Sequence, residues 1–410
     1  MQEAFIMASP CTAPVSTNNN SIWSPTSSRA PNVSLEFYGI FHDFSGYAVH
    51  SCAIARFLIK QGFNLKLIPY NYNYQLKFQD LDLCRYTKID RTYPIIRLVC
   101  LPPHPVYQKN RYTILLTMME TQSLHPGVIS CLRTADEVWT PSVYNFSQFK
   151  EALPKNFPVH FMPEGTDINL YNNQGNRLDI RADSIFVAVS VFHWQWRKGP
   201  DILIRAWLKA FTKKDRARLV LLTRVPTLSR REGHAIIQQE IEKARFEINN
   251  PDPAEIIIAD DYLPDEAMPA FYRAADCFVL PTRGEGWCLP ALDAMACGTP
   301  VIITGASGQL AFCNENNSLL LKPGKPATFV PDKVRLMNFF DNQKFNNPSV
   351  DDCAAALRIL YTDQNLKNRL ANQAMADVRR LWHWDNSLKP IARRLLEIDA
   401  MLKEKRNAHQ

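Results

Sequence analysis

From Leu35 onward the chain alternates short apolar runs with stretches of helical periodicity, and it does so twice. "LEFYGI" reads as a strand, "YAVHSCAIARFLIKQG" as a helix ended by Gly62, and "NLKLIPY" as the next strand. "PIIRLVCL", "RYTILLT", "DEVWTP" and "VHFMPEG" continue the series to a first sheet ending near Gly165. After the polar stretch "YNNQGNRLDIRAD" the alternation restarts with "SIFVAVS", the helix "PDILIRAWLKAF", "ARLVLLT", a polar helix over 230–247, and "AEIIIAD". "MPAFYRAA", "DCFVLP", "ALDAMACG" and "TPVIIT" complete a second sheet, and helices follow from about Asp351. Such repetition is the pattern of parallel sheets covered by helices, so the fold class is α/β with two Rossmann-like, doubly wound halves. Halves joined by a short linker leave a cleft, and in open α/β sheets ligands sit at the carboxyl ends of the strands.

Residues 1–32 are rich in Ser, Thr, Asn and Pro and read as a flexible tail. Residues 323–350 interrupt the alternation with Pro, Asn and aromatics and have no evident role. The 410 residues suffice for two domains that each bury a core. With 46% hydrophobic and 21% charged residues, the composition is that of an ordinary soluble globular protein. The net charge of +7 is spread along the chain, which suits anionic ligands and gives no concentrated patch for nucleic acid. Ten cysteines without a C-x-x-C pair, several inside apolar runs, read as free thiols in a reducing compartment. With no signal peptide and no run of about 18 apolar residues, a cytoplasmic location is expected. The basic end "ARRLLEIDAMLKEKRNAHQ" mildly favours contact with an anionic membrane surface.

Chemistry concentrates in "RGEGWCLPALDAMACGTPVI". Pro290 suits a first helical turn, Leu289, Leu292, Met295 and Ala296 share one face, and Gly298 stops the helix. The loop through Glu285, Gly286, Trp287 and Cys288 therefore feeds a helix N-terminus, whose unpaired N–H groups and positive dipole end attract a phosphate. Glu285 and Asp293, eight residues apart, either act as dipole partners or hold hydroxyl groups flanking such a phosphate. A second helix N-terminus follows "WRKGPD", where Arg197 and Lys198 add the cations a pyrophosphate demands.

These residues resemble the E-x7-E signature of retaining, nucleotide-sugar-dependent glycosyltransferases of the GT-B fold, glycosyltransferase family 4. "RKGPDILIRAW", "MPEGTDINLY", "DYLPDEAMPAFYRAADCFVLPT" and "DEVWTPSVYNFSQF" are similar to further blocks of that group in the same order. The resemblance implies an N-terminal acceptor domain over 33–168, a nucleotide-sugar domain over 169–382, and a last helix, about 383–410, crossing back onto the first. It implies that Glu285 meets the donor sugar, Asp293 the ribose and Lys198 the pyrophosphate, without a bound metal or other cofactor. Ser45 and Gly46 in "FSGYAVH" look like the glycine loop that approaches the donor phosphate and the acceptor. Three positions depart from the family pattern: the second acid is Asp, His193 stands where an arginine is common, with Arg197 as the substitute, and Glu120 stands where a histidine is frequent. Glu120 either orients the sugar or takes a proton, or it caps the following helix through Thr121.

His104 in "LPPHPVYQKN" is a candidate for the acceptor, with a structural turn as the alternative. His42, Asp43 and His50 lack metal-site spacing. Trp194, Trp196 and Trp287 either stack on a sugar or base or serve as packing, with Trp287 the preferred ligand contact through its backbone N–H, and Ser142 and Asn145 read as N-capping residues. The expected activity is transfer of a hexose-type sugar from a UDP- or GDP-sugar to a glycan, lipid, protein or small-molecule acceptor. The alternatives are a catalytically silent nucleotide-sugar-binding scaffold and a GT-B epimerase or phosphorylase.

Overall fold

A computed structural model describes residues 33–43, 45–70, 81, 84, 87–89, 95–181, 186–260, 263–329 and 338–408. The expected tail, 1–32, lies outside them. The first sheet contains β1 (Ser34–Gly39), β2 (Asn64–Pro69), β3 (Ile95–Cys100), β4 (Arg111–Leu116), β5 (Glu137–Thr140) and β6 (Val159–Phe161). Its order is β2-β1-β3-β4-β5-β6 and every pairing is parallel. The helices between them are α1 (Gly46–Lys60), α2 (Pro126–Leu132) and α3 (Val143–Ala152). The interior strands are near-continuous apolar runs because helices cover both faces of a parallel sheet.

The second sheet holds β7 (Phe186–His193), β8 (Ala217–Arg224), β9 (Glu255–Ala259), β10 (Cys277–Leu280), β11 (Val301–Thr304) and β12 (Ser318–Leu321) in the order β12-β11-β10-β7-β8-β9, again parallel throughout. Its helices are α4 (Pro200–Ala210), α5 (Arg230–Ile248), α6 (Met268–Ala274) and α7 (Leu289–Ala296). Strand β12 is not among the strands read from sequence. It is four residues long and lies at the sheet edge, and only a 3-10 turn, Gly308–Ala311, separates it from β11, so the usual strand–helix–strand rhythm is missing there.

A two-stranded antiparallel ribbon of β13 (Ala327–Thr328) and β14 (Lys344–Phe345) lies within the irregular stretch 323–350. Helices α8 (Val350–Thr362), α9 (Gln364–Leu381), α10 (Trp384–Ser387) and α11 (Lys389–Asn407) close the chain. The first two pack in the core of the second sheet, around Trp207, Phe278 and Met295. Leu388, Ile391, Leu395, Ile398 and Leu402 instead join Leu35, Phe37, Leu98 and Trp139 in the core of the first. The chain thus crosses between domains twice, and the crossings touch where Thr166 pairs with His383.

Candidate active site

Strand β7 ends at His193, and Trp196–Lys198 form a single 3-10 turn before α4. Gly199 links the two at φ 71°, and a Cβ there would stand 2.1 Å from the Pro281 carbonyl oxygen, so only glycine fits. This close approach sets Arg197 and Lys198 beside the loop that follows β10. The backbone N–H of Arg283 donates to the Arg197 carbonyl at 2.7 Å, fastening the two loops together.

Glu285 is 4% exposed. Lys198 Nζ lies 2.8 and 2.7 Å from its two carboxylate oxygens, and the Thr282 hydroxyl donates to Oε1 at 2.8 Å. Its backbone is held from the β11 side, its N–H donating to Ser307 Oγ and its carbonyl accepting from Gly308. Burial opposes ionisation, but Lys198 and Arg197 outweigh it and hold this carboxyl below the ordinary range. Arg197 also donates to the Gly284 carbonyl and reaches across the cleft, 3.3 Å from Glu120 Oε1.

Glu120 comes from the loop after β4. Asn145 on α3 brackets the preceding residue, donating to the Met119 carbonyl at 2.7 Å and accepting from its N–H at 3.3 Å. Burial raises the Glu120 pKa against the pull of Arg197, with Glu285 adding to the rise. Helix α2 is capped by His125, so Glu120 does not cap the helix that follows it. Ser142 caps α3 as its type predicts, whereas Asn145 spends its side chain on Met119 and not on a cap. The two loops approach so closely that a Cβ on Gly284 would lie 2.1 Å from the Glu120 carbonyl oxygen. One on Gly286 would lie 2.2 Å from Met118 Sδ.

Helix α7 starts at Leu289, with Cys288 as its cap at φ 95°, a left-handed conformation that a side-chain-bearing residue rarely adopts. Its first N–H groups have no acceptor within the helix. Leu289 faces Gly46 at the start of α1, which Ser45 caps through the Ala48 N–H. Two helix N-termini thus open on one cleft of about 760 Å³, lined also by Glu120, His193, Arg197, Lys198, Glu285, Trp287 and Asp293. Enclosure in the cleft, then the cations of Lys198 and Arg224, push the His193 pKa down to about 4 although the ring meets solvent.

Asp293 lies in the second turn of α7 and accepts from the Thr166 hydroxyl at 2.5 Å. Burial pushes its pKa up to about 7, partly offset by that hydrogen bond. The Trp287 ring is buried against Phe312 and Trp382 at 5.1 and 5.4 Å, which leaves its backbone for the cleft. Trp194 packs on Phe192, and Trp196 on Phe329 and Phe345. His104 turns to the Pro102 carbonyl at 2.9 Å and is not among the residues lining the cleft. His50 is buried 3.2 Å from Glu164, and no group of three metal-ligating side chains occurs among the described residues. Sequence reasoning passed over Thr166, Arg283 and Asn145 as site residues. Arg283, 4% exposed, pairs with both oxygens of Asp201 at 2.7 Å and lies 4.2 Å over the Trp196 ring.

Residues 183–338 match the family described as Glycosyl transferases group 1. That segment is similar to a group 1 glycosyltransferase domain, and the fold is GT-B. The match covers the loops that supply Arg197, Lys198, Glu285 and Asp293. The chain is 28% identical over 243 residues to the D-inositol 3-phosphate glycosyltransferase of Acidothermus cellulolyticus, 57% of this chain and 46% of that protein. It is 30% identical over 151 residues to the mannosylfructose-phosphate synthase of Agrobacterium fabrum, 36% of this chain and 32% of that protein. The matched segments therefore span less than half the length of these relatives. In fold, the chain is similar to sucrose-phosphate synthase from Thermosynechococcus elongatus, with a TM-score of 0.64, 17% identity and coverage of 90% and 100% of the two chains. It is likewise similar to Anabaena HepE, solved with UDP and glucose, with a TM-score of 0.62, 15% identity and coverage of 89% and 99%. No helix among the described residues is long and apolar enough to cross a membrane.

Proposed function

We propose that this protein moves a hexose-type sugar from a UDP- or GDP-sugar to an acceptor, with retention at the anomeric carbon. One observation carries the reading. Arg197 and Lys198 converge on Glu285 at the head of α7, and Arg197 also reaches Glu120 of the facing domain. A departing nucleoside diphosphate gathers negative charge, which fixed cations and helix N-termini stabilise without reorganising. Lys198, Arg197 and the amides of Gly286, Trp287, Cys288 and Leu289 take the diphosphate, with Ser45 and Gly46 opposite. Glu285, kept ionised, accepts from sugar hydroxyls, and Asp293 accepts from the ribose in place of Thr166.

The acceptor oxygen attacks the anomeric carbon on the face the diphosphate leaves. The bond to the diphosphate oxygen breaks, and that oxygen takes the acceptor proton. Glu120 orients the reacting hydroxyls. In this reading the protein's own cations meet the charge of the leaving group, with no metal or other cofactor. The solved complex of the similarly folded HepE with UDP and glucose supports a nucleotide sugar as donor.

A thermal-shift panel of UDP, GDP and their sugars tests the reading, since a ligand that binds the folded state raises its melting temperature. UDP or GDP should stabilise the protein, and the matching sugar donor should turn over in EDTA. Lys198→Ala and Glu285→Ala should each lower kcat by about 100-fold or more with the fold intact. Parental rates in either variant, or strict dependence on an added divalent cation, would overturn the mechanism. Nucleotide binding without turnover would favour a silent scaffold.

A further inference from the structure

The irregular stretch 323–350 belongs by sequence to the second domain, between β12 and α8, yet its end is buried in the first. Phe340 and Phe345 sit in one cluster with Val99, Leu115 and Phe149. Phe345 is fully buried, edge-on to Phe340 at 5.4 Å and to Trp196 at 5.8 Å. Apolar burial of this kind anchors the segment and leaves its polar groups to make specific bonds.

Those bonds run to both halves of the site. On the first-domain side, the Gln122 N–H donates to the Lys344 carbonyl at 2.9 Å, and Gln122 Nε2 donates to Asn346 Oδ1 at 2.9 Å. Ser123 Oγ donates to Gln343 Oε1 at 3.0 Å. On the second-domain side, the Asn346 N–H and Nδ2 both donate to the Arg283 carbonyl, at 3.1 and 3.2 Å. Arg283 Nε donates to Asn347 Oδ1 at 3.0 Å. Gln122 lies two residues beyond Glu120, and Arg283 bonds the Arg197 carbonyl and lies two residues before Glu285. We propose that residues 338–347 are an interdomain strap and that Asn346 is a positioning residue, setting Glu120 against Arg197 by gripping both of their loops at once.

Asn346 is 6% exposed, and both ends of its amide are used. Loss of its side chain would leave the Gln122 amide to find another partner in a closed space, which costs more than the bond itself, and would leave the Arg283 carbonyl with the Asn346 N–H alone. The strap's consequence for catalysis rests on the proposed roles of Glu120 and Arg197; its mechanical role does not.

The experiment compares the parent with Asn346→Ala and with Gln122→Ala, which cut the same bond from opposite domains. Hydrogen exchange is followed over 119–124, UDP and GDP affinities by calorimetry, and donor turnover with UDP-glucose and GDP-mannose. In both variants the backbone N–H of residue 122, which keeps the Lys344 carbonyl as its acceptor, should exchange about 10-fold faster, because the segment that holds that carbonyl has lost one buried hydrogen bond. Nucleotide affinity and donor KM should stay within about 2-fold and kcat should fall about 10-fold, with the double variant no worse than the poorer single one. Unchanged exchange in both variants overturns the strap, as does a fall in nucleotide affinity that matches the fall in kcat, because the segment would then only support the second domain. If the parent binds neither nucleotide, the functional reading fails while the exchange result still decides the strap.

Discussion

Glu285 keeps its charge in a site where burial works against it, and the reason is local: Lys198 and Arg197 sit within ion-pair distance of its oxygens. Asp293 has Asp265, Asp167 and Glu164 as acidic company, so burial dominates and its pKa rises from 3.8 to about 7. An acid whose pKa is raised by folding adds stability below its unfolded value, and that stability drains away as pH climbs through the folded value. The window here is from about 4 to about 7. Asp293→Asn keeps an acceptor for Thr166 and removes the titration, so its melting temperature should fall less than the parent's between pH 5 and pH 8. At pH 8 the gain is about 1 kcal/mol, after discounting for the partial exposure of the side chain; identical pH dependence of unfolding in the two proteins would refute the assignment. Glu285, Lys198 and Asp293 were legible in the sequence because each lies just before or within a helix that a strand precedes, where local residue types carry the argument. Their partners were not: Thr166 is 127 residues from Asp293, and no periodicity connects them.

At the scale of elements, the loop after β10 is fixed by glycines whose missing side chains let the two domains touch. Gly284 is the sharpest case, since a Cβ there would meet a backbone oxygen of Glu120, which cannot swing aside as a side chain can. Gly284→Ala should therefore push the Glu120 loop off Arg197 and lower kcat by about 10-fold or more, with the second domain's nucleotide affinity nearly unchanged. Kinetics beside calorimetry check this, and a parental kcat would mean the loops do not meet in solution. Alternating apolar and helical runs made nearly every strand and helix readable, because a parallel sheet covered on both faces demands that pattern. The failures share a cause. Strand β12 follows a 3-10 turn, so the strand–helix–strand rhythm that marks the others is missing, and the ribbon of β13 and β14 pairs two dipeptides, too short to show an alternation. The excursion's partners lie in both domains and far from it in sequence, and its own composition could only announce a break.

For the whole molecule, the decisive feature is that the first domain is not continuous in sequence. Helix α11 comes last yet completes the first core, where Leu395 is fully buried with Ile391 and Ile398. Arg394 on the same helix pairs with Glu137, whose carboxylate is fully buried in β5 and also accepts from Trp139 Nε1 at 3.0 Å. Leu395→Ala leaves the ion pair and removes only packing, so it isolates what the helix contributes through apolar burial. A large-to-small change at such a site costs about 2–5 kcal/mol, transfer and cavity terms together. Because α11 is joined to α9 through α10 and the Thr166–His383 crossing, weakening it loosens the first domain while the second retains its own core of β7–β12 with α8 and α9. Denaturation followed by hydrogen exchange should show the loss concentrated in α1 and β1–β3, with β7, β8 and β10 protected as in the parent. Equal loss in both sheets would mean that the domains unfold as one unit and that the crossing helix ties them into a single cooperative structure.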